Sequence, residues 1–298
     1  MFQVDQLHTL RAVVEEGTFD AAAQRLRITA SAVSQRIKAM EHSAGQILIQ
    51  RVNPVRPTVA GDVALRYARQ LQLLEADAMR QLSGLERSVG STIALPLAVN
   101  ADSLATWFLE ALATIPAEDH VVFDIHREDQ DHTTALLRSG SVMAAVTSSA
   151  EAVQGCSVEG LGIMRYRAVC SPEFANRWLG GVVGIDGLDT APLVNFDRKD
   201  DLQHQFLRTV VGRDLRSPRH YVPTSADFAR AIMLGFGWGL LPEQQCVSEL
   251  AAGKLREIAP DDSVDVRLYW QRWNLSSPLL DEVSAHVRAG ARRSLHPL

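Results

Sequence analysis

Two groups of side chains have the types and spacing to act on another molecule. Between Ala30 and His42 the polar residues Ser31, Ser34, Gln35, Arg36 and Lys38 interleave with Val33, Ile37 and Met40 at helical spacing, so one face is polar and the other apolar. A helix that enters the DNA major groove needs small and polar residues outward, so that its backbone approaches closely and its donors reach base edges. Gln35 can make a paired contact to adenine, Arg36 and Lys38 can reach guanine or phosphate, and Ser31 and Ser34 suit phosphate or base-edge contacts. Arg51 and Arg56 flank Asn53-Pro54 and can grip phosphates or the minor groove. The second group lies beyond residue 90. Asn100, Asp102, Ser103 and Thr106 open a helical stretch after an apolar run; Glu128, Asp129 and Asp131 follow a second run; Thr147 ends a third; Asp197 and Asp200 follow a fourth; Thr224 and Ser225 start another helix. Amides and hydroxyls at helix starts suit an anionic group, and carboxylates suit a cation. Asp102 also reads as a helix cap, and Asp200 and Asp201 as first-turn acids that balance the helix dipole.

The spacings that bond-breaking chemistry needs are missing. The sequence has no GxSxG elbow, no HExxH, no Walker A motif and no GxGxxG opening a helix after a strand. Its nine histidines are scattered, and Cys156, Cys170 and Cys246 have neither CxxC nor Cys/His spacing. The expectation is a binding protein and not an enzyme, without cofactor, metal or disulfide framework.

Three short helical patterns must position the first group. Leu7, Leu10, Val13 and Val14 form a stripe that stops at Gly17; Thr18 can cap a helix burying Phe19, Ala22, Ala23 and Leu26; Thr29 can cap a third helix running to about His42. The last two are joined by a few residues and must cross steeply. ILIQRVNPVRPTVAG then reads as a β-hairpin, with Pro57 suited to an edge strand. From Gly61 to about Arg87 a long helix is predicted, with Ala64, Leu71, Ala78 and Leu85 recurring every seven residues beside Tyr67 and Leu74 as a partner-facing seam.

The second group sits on alternating strands and helices. TIALPLAVN, VVFDIHRE, MAAVTS, PLVNFD and VDVRLYWQRW read as strands, and helices fit at 102–115, 130–139, 173–180, 200–211, 225–234 and 277–291, which predicts parallel or mixed sheets covered by helices. A length of 298 residues with 46% hydrophobic and 22% charged residues predicts two or three folded domains. The net charge is −5, but residues 1–90 carry eleven Arg and Lys against nine Asp and Glu, leaving −7 for the remainder. That contrast fits a nucleic-acid-binding end joined to an acidic end. MFQVDQLHTL lacks the features of a secretory signal and no run of about 18 apolar residues occurs, so a cytoplasmic location without membrane contact is expected.

FDAAAQRLRITASAVSQRIKAMEHSAGQILIQR, followed by the Thr58–Gly61 step, resembles the DNA-binding region of LysR-type transcriptional regulators over about residues 3–88. The resemblance implies an N-terminal all-α winged helix-turn-helix (residues 1–60) and a dimerising linker helix (61–87). It implies a C-terminal α/β effector region of two subdomains like periplasmic binding proteins, placed at 91–163 with 267–298 and at 164–266. It also implies double-stranded DNA as a partner, a dimer through the linker helix, a tetramer of two dimers, and RNA polymerase as a further candidate partner. NADSLATWF, REDQDHT, AAVTS, GWGLLPEQQ and LYWQRW resemble the ArgP/LysG branch, which implies a basic amino-acid effector (lysine, arginine or histidine) and control of genes such as an amino-acid exporter. An organic acid as ligand, which arginines around the cleft would serve better than Glu128, Asp129 and Asp197, and a ligand-independent DNA architectural protein are the alternatives.

Overall fold

The computed structural model describes residues 2–83, 93–116, 121–127, 130–180, 187–188, 190–212 and 217–298. Three helices, α1 (Val4–Glu16), α2 (Phe19–Leu26) and α3 (Ala30–Ala44), precede a two-stranded hairpin of β1 (Ile49–Gln50) and β2 (Arg56–Pro57). Each boundary has a local cause. Gly17 ends α1 in the left-handed region at φ 73°, and the Thr18 and Thr29 hydroxyls accept the amides of Ala21 and Ala32 to start α2 and α3. Leu10, Val13, Ala22, Val33, Ile37 and Met40 are fully buried in one cluster. At about 1.5–3 kcal/mol for each large apolar side chain, that cluster holds the three helices together. The hairpin is anchored at both ends: Glu41 of α3 accepts the Leu48 amide (3.0 Å), and the Val55 amide donates to the Gly17 carbonyl (2.7 Å).

The long helix is α4 (Val59–Ser83), capped by the Thr58 hydroxyl, which accepts the Gly61 amide. It begins two residues earlier than the sequence indicates, and the predicted end at Arg87 lies outside the described residues. Its faces also differ from the expected seam. Ala64 is buried in its own winged domain and Leu71 packs against that core, whereas Val63, Tyr67, Leu74, Met79 and Leu82 are exposed; Leu85 lies outside the described residues. A straight helix repeats every 3.6 residues, so a strict seven-residue stripe drifts round it, and the core of the winged domain claims its first half. A third face docks on the remainder of the chain. Arg69 donates to the Ser139 carbonyl and Ser141 hydroxyl, Arg66 stacks over Trp273, Leu73 joins the large core, and Asp77 accepts the Leu279 amide.

Residues from 93 onward form a seven-stranded mixed sheet in the order β10-β6-β11-β5-β3-β4, with β9 also on β6. Its strands are β3 (Ile93–Val99), β4 (Val121–Arg127), β5 (Ala144–Thr147), β6 (Cys156–Cys170), β9 (Gly239–Pro242), β10 (Arg256–Glu257) and β11 (Ser263–Trp273); β7 (Leu193–Asn195) and β8 (Arg219–Tyr221) form a separate parallel pair. β3 runs parallel to β4 and β5, while β6 and β11 are long antiparallel neighbours. Between these strands lie α5 (Ala101–Ser103), a π-helical turn (Leu104–Phe108) and α6 (Leu109–Leu112) as one run, α7 (Gln130–Ser139), α8 (Pro172–Trp178), α9 (Leu202–Val211), α10 (Ser225–Met233) and α11 (Glu243–Ala251), and α12 (Pro278–Ser294) follows β11.

β5 pairs with one end of β11, at Tyr269–Arg272, and β9 and β10 pair with the far end of β6, at Tyr166–Cys170. The region therefore has two halves joined by β6 and β11. One half carries β3 to β5, α5 to α7 and α12; the other carries β7 to β10 and α8 to α11. The sequence reading had no strand at β6 and no helix at α11. Gly160 and Gly162 interrupt the β6 pattern where its register with β11 shifts between Leu268 and Tyr269.

Candidate DNA-contact face and ligand cleft

The outward face of α3 is set by what its inward face buries. With Val33, Ile37 and Met40 in the core, Ser31, Gln35 and Lys38 are exposed and Ser34 is half-buried at the rim. Arg51 and Arg56 are exposed on the hairpin, and the Arg51 guanidinium lies 5.6 Å from the centroid of the Phe19 ring. Arg36 departs from its expected place on the outward face. It turns toward α1, where it donates to Asp5 (3.2 Å) and Thr9 (3.3 Å), because it stands one residue before Ile37 at the edge of the core. Ser31, Ser34, Gln35 and Lys38 thus lie on the polar side of α3, and Arg51 and Arg56 on the hairpin that follows it.

The cleft lies where the two halves meet, beyond the carboxyl ends of β3 and β4, the usual place for ligands of open α/β sheets. It encloses about 410 Å³ and is lined by Asn100, Ala101 and Asp102 after β3, Arg127 at the end of β4, Tyr166 of β6, Phe196, Asp197, Lys199, Asp200, Leu202 and Gln203 around the start of α9, and Phe228 with Leu240 to Pro242. Asp102 is its centre. One carboxylate oxygen accepts from the Tyr166 hydroxyl (2.8 Å) and the other from the Ser225 hydroxyl of the opposite half (2.7 Å). Arg127 makes a second crossing, donating to the Pro223 carbonyl (3.2 Å) with its guanidinium 6.0 Å from the Phe196 centroid.

The cavity lining carries the carboxyls of Asp102, Asp197 and Asp200 together with Arg127 and Lys199. Burial pushes the Asp102 carboxyl above its ordinary value, against the opposing bonds from Ser225 and Tyr166. Burial also raises Asp200, opposed by the Phe196 and Leu202 amides and reinforced by the neighbouring charges of Asp197 and Asp102. Burial together with the Asp102 charge lifts the Tyr166 phenol well above its usual value, so it keeps its proton and stays a donor. Asn100 adds a buried amide oxygen without a protein partner.

Two family models match the chain. Residues 4–62 match the model described as bacterial regulatory helix-turn-helix protein, lysR family, and residues 94–292 match the LysR substrate binding domain. The chain belongs to the LysR family. The LysG regulator of Mycobacterium tuberculosis is 44% identical over 286 residues, covering 96% of this chain and 92% of that one. The lysine export transcriptional regulatory protein LysG of Corynebacterium glutamicum is 39% identical over 296 residues, covering 98% and 99%. The full-length structure of LysG from Corynebacterium glutamicum with bound effector Arg superposes with a TM-score of 0.81 at 38% identity, covering 99% of this chain and all of that one.

In this LysR-family regulator the predicted ligand residues divide into three sets. Asn100, Asp102, Asp197 and Asp200 line the cavity, and Ser225 reaches it through its bond to Asp102. Ser103, Thr106, Thr147 and Thr224 do not line it. Ser103 is buried, Thr106 bonds back to the Asp102 carbonyl, Thr147 on β5 accepts the Ser149 amide, and Thr224 donates to Asp227. The Thr106, Thr147 and Thr224 hydroxyls are used in bonds to residues two to four positions away, whereas the Ser103 hydroxyl is buried without a partner among the described residues. Glu128 and Asp129 lie outside the described residues, as does the side chain of Asp131. Asp200 lines the cavity but its oxygens already hold the loop: they accept the Phe196 (2.8 Å) and Leu202 (3.1 Å) amides, while Asp197 accepts those of Lys199 and Asp200.

Tyr166, Arg127 and Gln203 were missed by sequence reasoning. The signal for Tyr166 was present: Met164, Tyr166 and Ala168 are buried in alternation with the less buried Arg165 and Arg167, a period-two pattern obscured by the two glycines before it. Arg127 and Gln203 carry no local signature, because only the crossing of the chain between halves brings them to one cavity.

Proposed function

We propose that this LysR-family chain is a transcriptional regulator that binds a basic amino acid, one of lysine, arginine or histidine, and controls genes such as an amino-acid exporter. One observation carries the reading: a cleft of about 410 Å³ lined by Asp102, Asp197 and Asp200, in which burial already disfavours two of the three charges. A ligand that brings two cationic groups relieves that penalty, and the effector bound to the Corynebacterium LysG is arginine. An organic acid could meet Arg127 and Lys199 in the lining, but without a cationic group of its own it would leave the three carboxyls uncompensated. The ligand's carboxylate pairs with Arg127 and the amides at the start of the helix at Ala101. In this reading the cleft holds its ligand without transforming it.

Ser31, Ser34, Gln35 and Lys38 read the major groove, and Arg51 and Arg56 hold the flanking backbone. The effector subdomains are residues 91–163 with 267–298 and 164–266, a division that cuts β6 and β11 between the neighbouring pairs Arg267–Ile163 and Val266–Met164, close to their register shift. Two chains pair through the exposed apolar side of α4 that carries Val63, Tyr67 and Leu74, and two such dimers form a tetramer. Ligand closes the two halves, and because α4 is bonded both to the winged domain and to the effector region, closure changes how the DNA is held and bent. The protein acts in the cytoplasm, with RNA polymerase as its further partner. Titration of the full-length protein with arginine, lysine, histidine and glutamate tests the reading. Saturable heat from at least one basic amino acid and none from glutamate is expected; heat from glutamate alone would overturn it.

A further inference from the structure

Asp102 takes two hydroxyl donors, and a hydroxyl has a single proton to give. Among the described residues the Tyr166 hydroxyl bonds Asp102 alone, and its proton goes there. Ser225 has a choice. Its oxygen lies 2.7 Å from Asp102 and 2.9 Å from the side-chain nitrogen of Gln245, in the first turn of α11. With the Gln245 nitrogen donating to Ser225, the serine oxygen is an acceptor on that side and its proton is committed to Asp102. Turning the amide over would offer Ser225 a carbonyl oxygen, draw its proton away and leave two oxygens facing each other at 2.7 Å. The Gln245 carbonyl oxygen, buried without a protein partner, is the cost of the orientation observed.

We infer that Gln245, which does not line the cleft, is a positioning residue for the ligand: by donating to Ser225 it fixes the direction of the hydrogen bond that crosses between the two halves and keeps Asp102 an acceptor toward the cavity. This rests on the reading of Asp102 as the counter-charge of a cationic ligand. Each carboxylate oxygen has two acceptor sites, and the two hydroxyls use one each, so one site per oxygen remains for an ammonium or guanidinium group. The groups facing Asp102 are Tyr166 from β6, Asp197, Lys199 and Asp200 from the loop before α9, and Arg127 from β4. Gln245 adds no charge to that set; it acts only through the serine.

The test compares the full-length wild-type chain with Gln245→Met, which removes the donor at similar volume, and Gln245→Glu, which supplies an acceptor that competes for the serine proton. Calorimetric titration with arginine at pH 8 should show Kd raised about 5- to 10-fold in Gln245→Met, the worth of one redirected hydrogen bond, and by more in Gln245→Glu. The loss in Gln245→Met should grow between pH 8 and pH 6, because an Asp102 with one proton donor fewer protonates at higher pH. Unchanged Kd and unchanged pH dependence in both variants would overturn the inference. A second readout needs no ligand. The carboxyl-carbon resonance of Asp102, assigned by its loss in Asp102→Asn, should titrate at higher pH in Gln245→Met than in wild type, and an unchanged midpoint likewise overturns the positioning role. A shifted midpoint in a protein that binds no basic amino acid would uphold the role of Gln245 and count against the proposed effector alone.

Discussion

Asp102→Asn removes one charge and almost no volume, and its effects on stability and on binding have different sizes for reasons visible in the cleft. In the folded chain burial disfavours the Asp102 carboxylate, so a neutral amide escapes that penalty. Against this gain, the new NH2 group meets one of the two hydroxyls that donate to Asp102, and one hydrogen bond is lost or must reverse, at about 1 kcal/mol. The net change in stability should stay within about 1 kcal/mol, or a few degrees in Tm. Binding has no such compensation. A hydrogen bond to a charged group contributes about 1.5–3 kcal/mol, and a charge pair at about 4 Å with an effective dielectric near 20 about 4 kcal/mol. A loss of about 2–4 kcal/mol corresponds to arginine affinity falling roughly 30- to 1,000-fold. The assay is calorimetry with arginine and with citrulline, its neutral analogue, alongside thermal unfolding. Wild type should discriminate strongly between the two ligands and Asp102→Asn weakly. Arginine binding within threefold of wild type, or equal discrimination by both proteins, would refute the assignment of Asp102.

Three further outcomes follow from the same geometry. Because the folded-state values of Asp102 and Asp200 are raised, the ligand-free protein gains stability as pH falls toward the ordinary carboxylate range, whereas a cationic ligand favours the ionised forms; arginine binding should therefore release protons, seen as buffer-dependent heats, and weaken as pH falls. Gln35→Ala should cost about 1–3 kcal/mol on the cognate DNA and relax preference at one base position, while Lys38→Ala should weaken all sequences and reduce the salt slope by about 1, as measured by fluorescence anisotropy across salt concentrations. Gly61→Ala should destabilise the winged domain by more than about 2 kcal/mol in thermal unfolding, because the added methyl would stand 1.9 Å from the Leu48 carbonyl oxygen, which is held by the Thr58 amide.

Much of this was legible where the physics is local. Thr18 and Thr29 cap their helices as their types and positions require, α7 spans the residues its pattern marks, and Asn100, Asp102, Asp197 and Asp200 lie at the cleft because strand ends of α/β sheets are where ligands sit. What stayed hidden depends on distant parts of the chain. Arg36 has the right type for DNA, but only the packing of α1 brings Asp5 and Thr9 within its reach. Ala64 fits a dimer seam by spacing, yet the winged core buries it. Thr147 and Thr224 are the exception: their partners, the Ser149 amide and the Asp227 carboxylate, stand two and three residues on, and the sequence reading passed over these local bonds. Gln245 comes to Ser225 only because β9 pairs with β6.

The most direct measurement is a mobility-shift titration of the full-length protein on the DNA upstream of its own coding region, with and without arginine, for wild type, Gln35→Ala and Asp102→Asn. Wild type should retain the fragment and change its mobility or affinity with arginine, Gln35→Ala should lose specific retention, and Asp102→Asn should retain DNA but ignore arginine at wild-type saturating concentration. Retention by wild type that responds to none of arginine, lysine or histidine, or that survives Gln35→Ala undiminished, would contradict a helix-and-cleft pair that reads DNA and senses a basic amino acid.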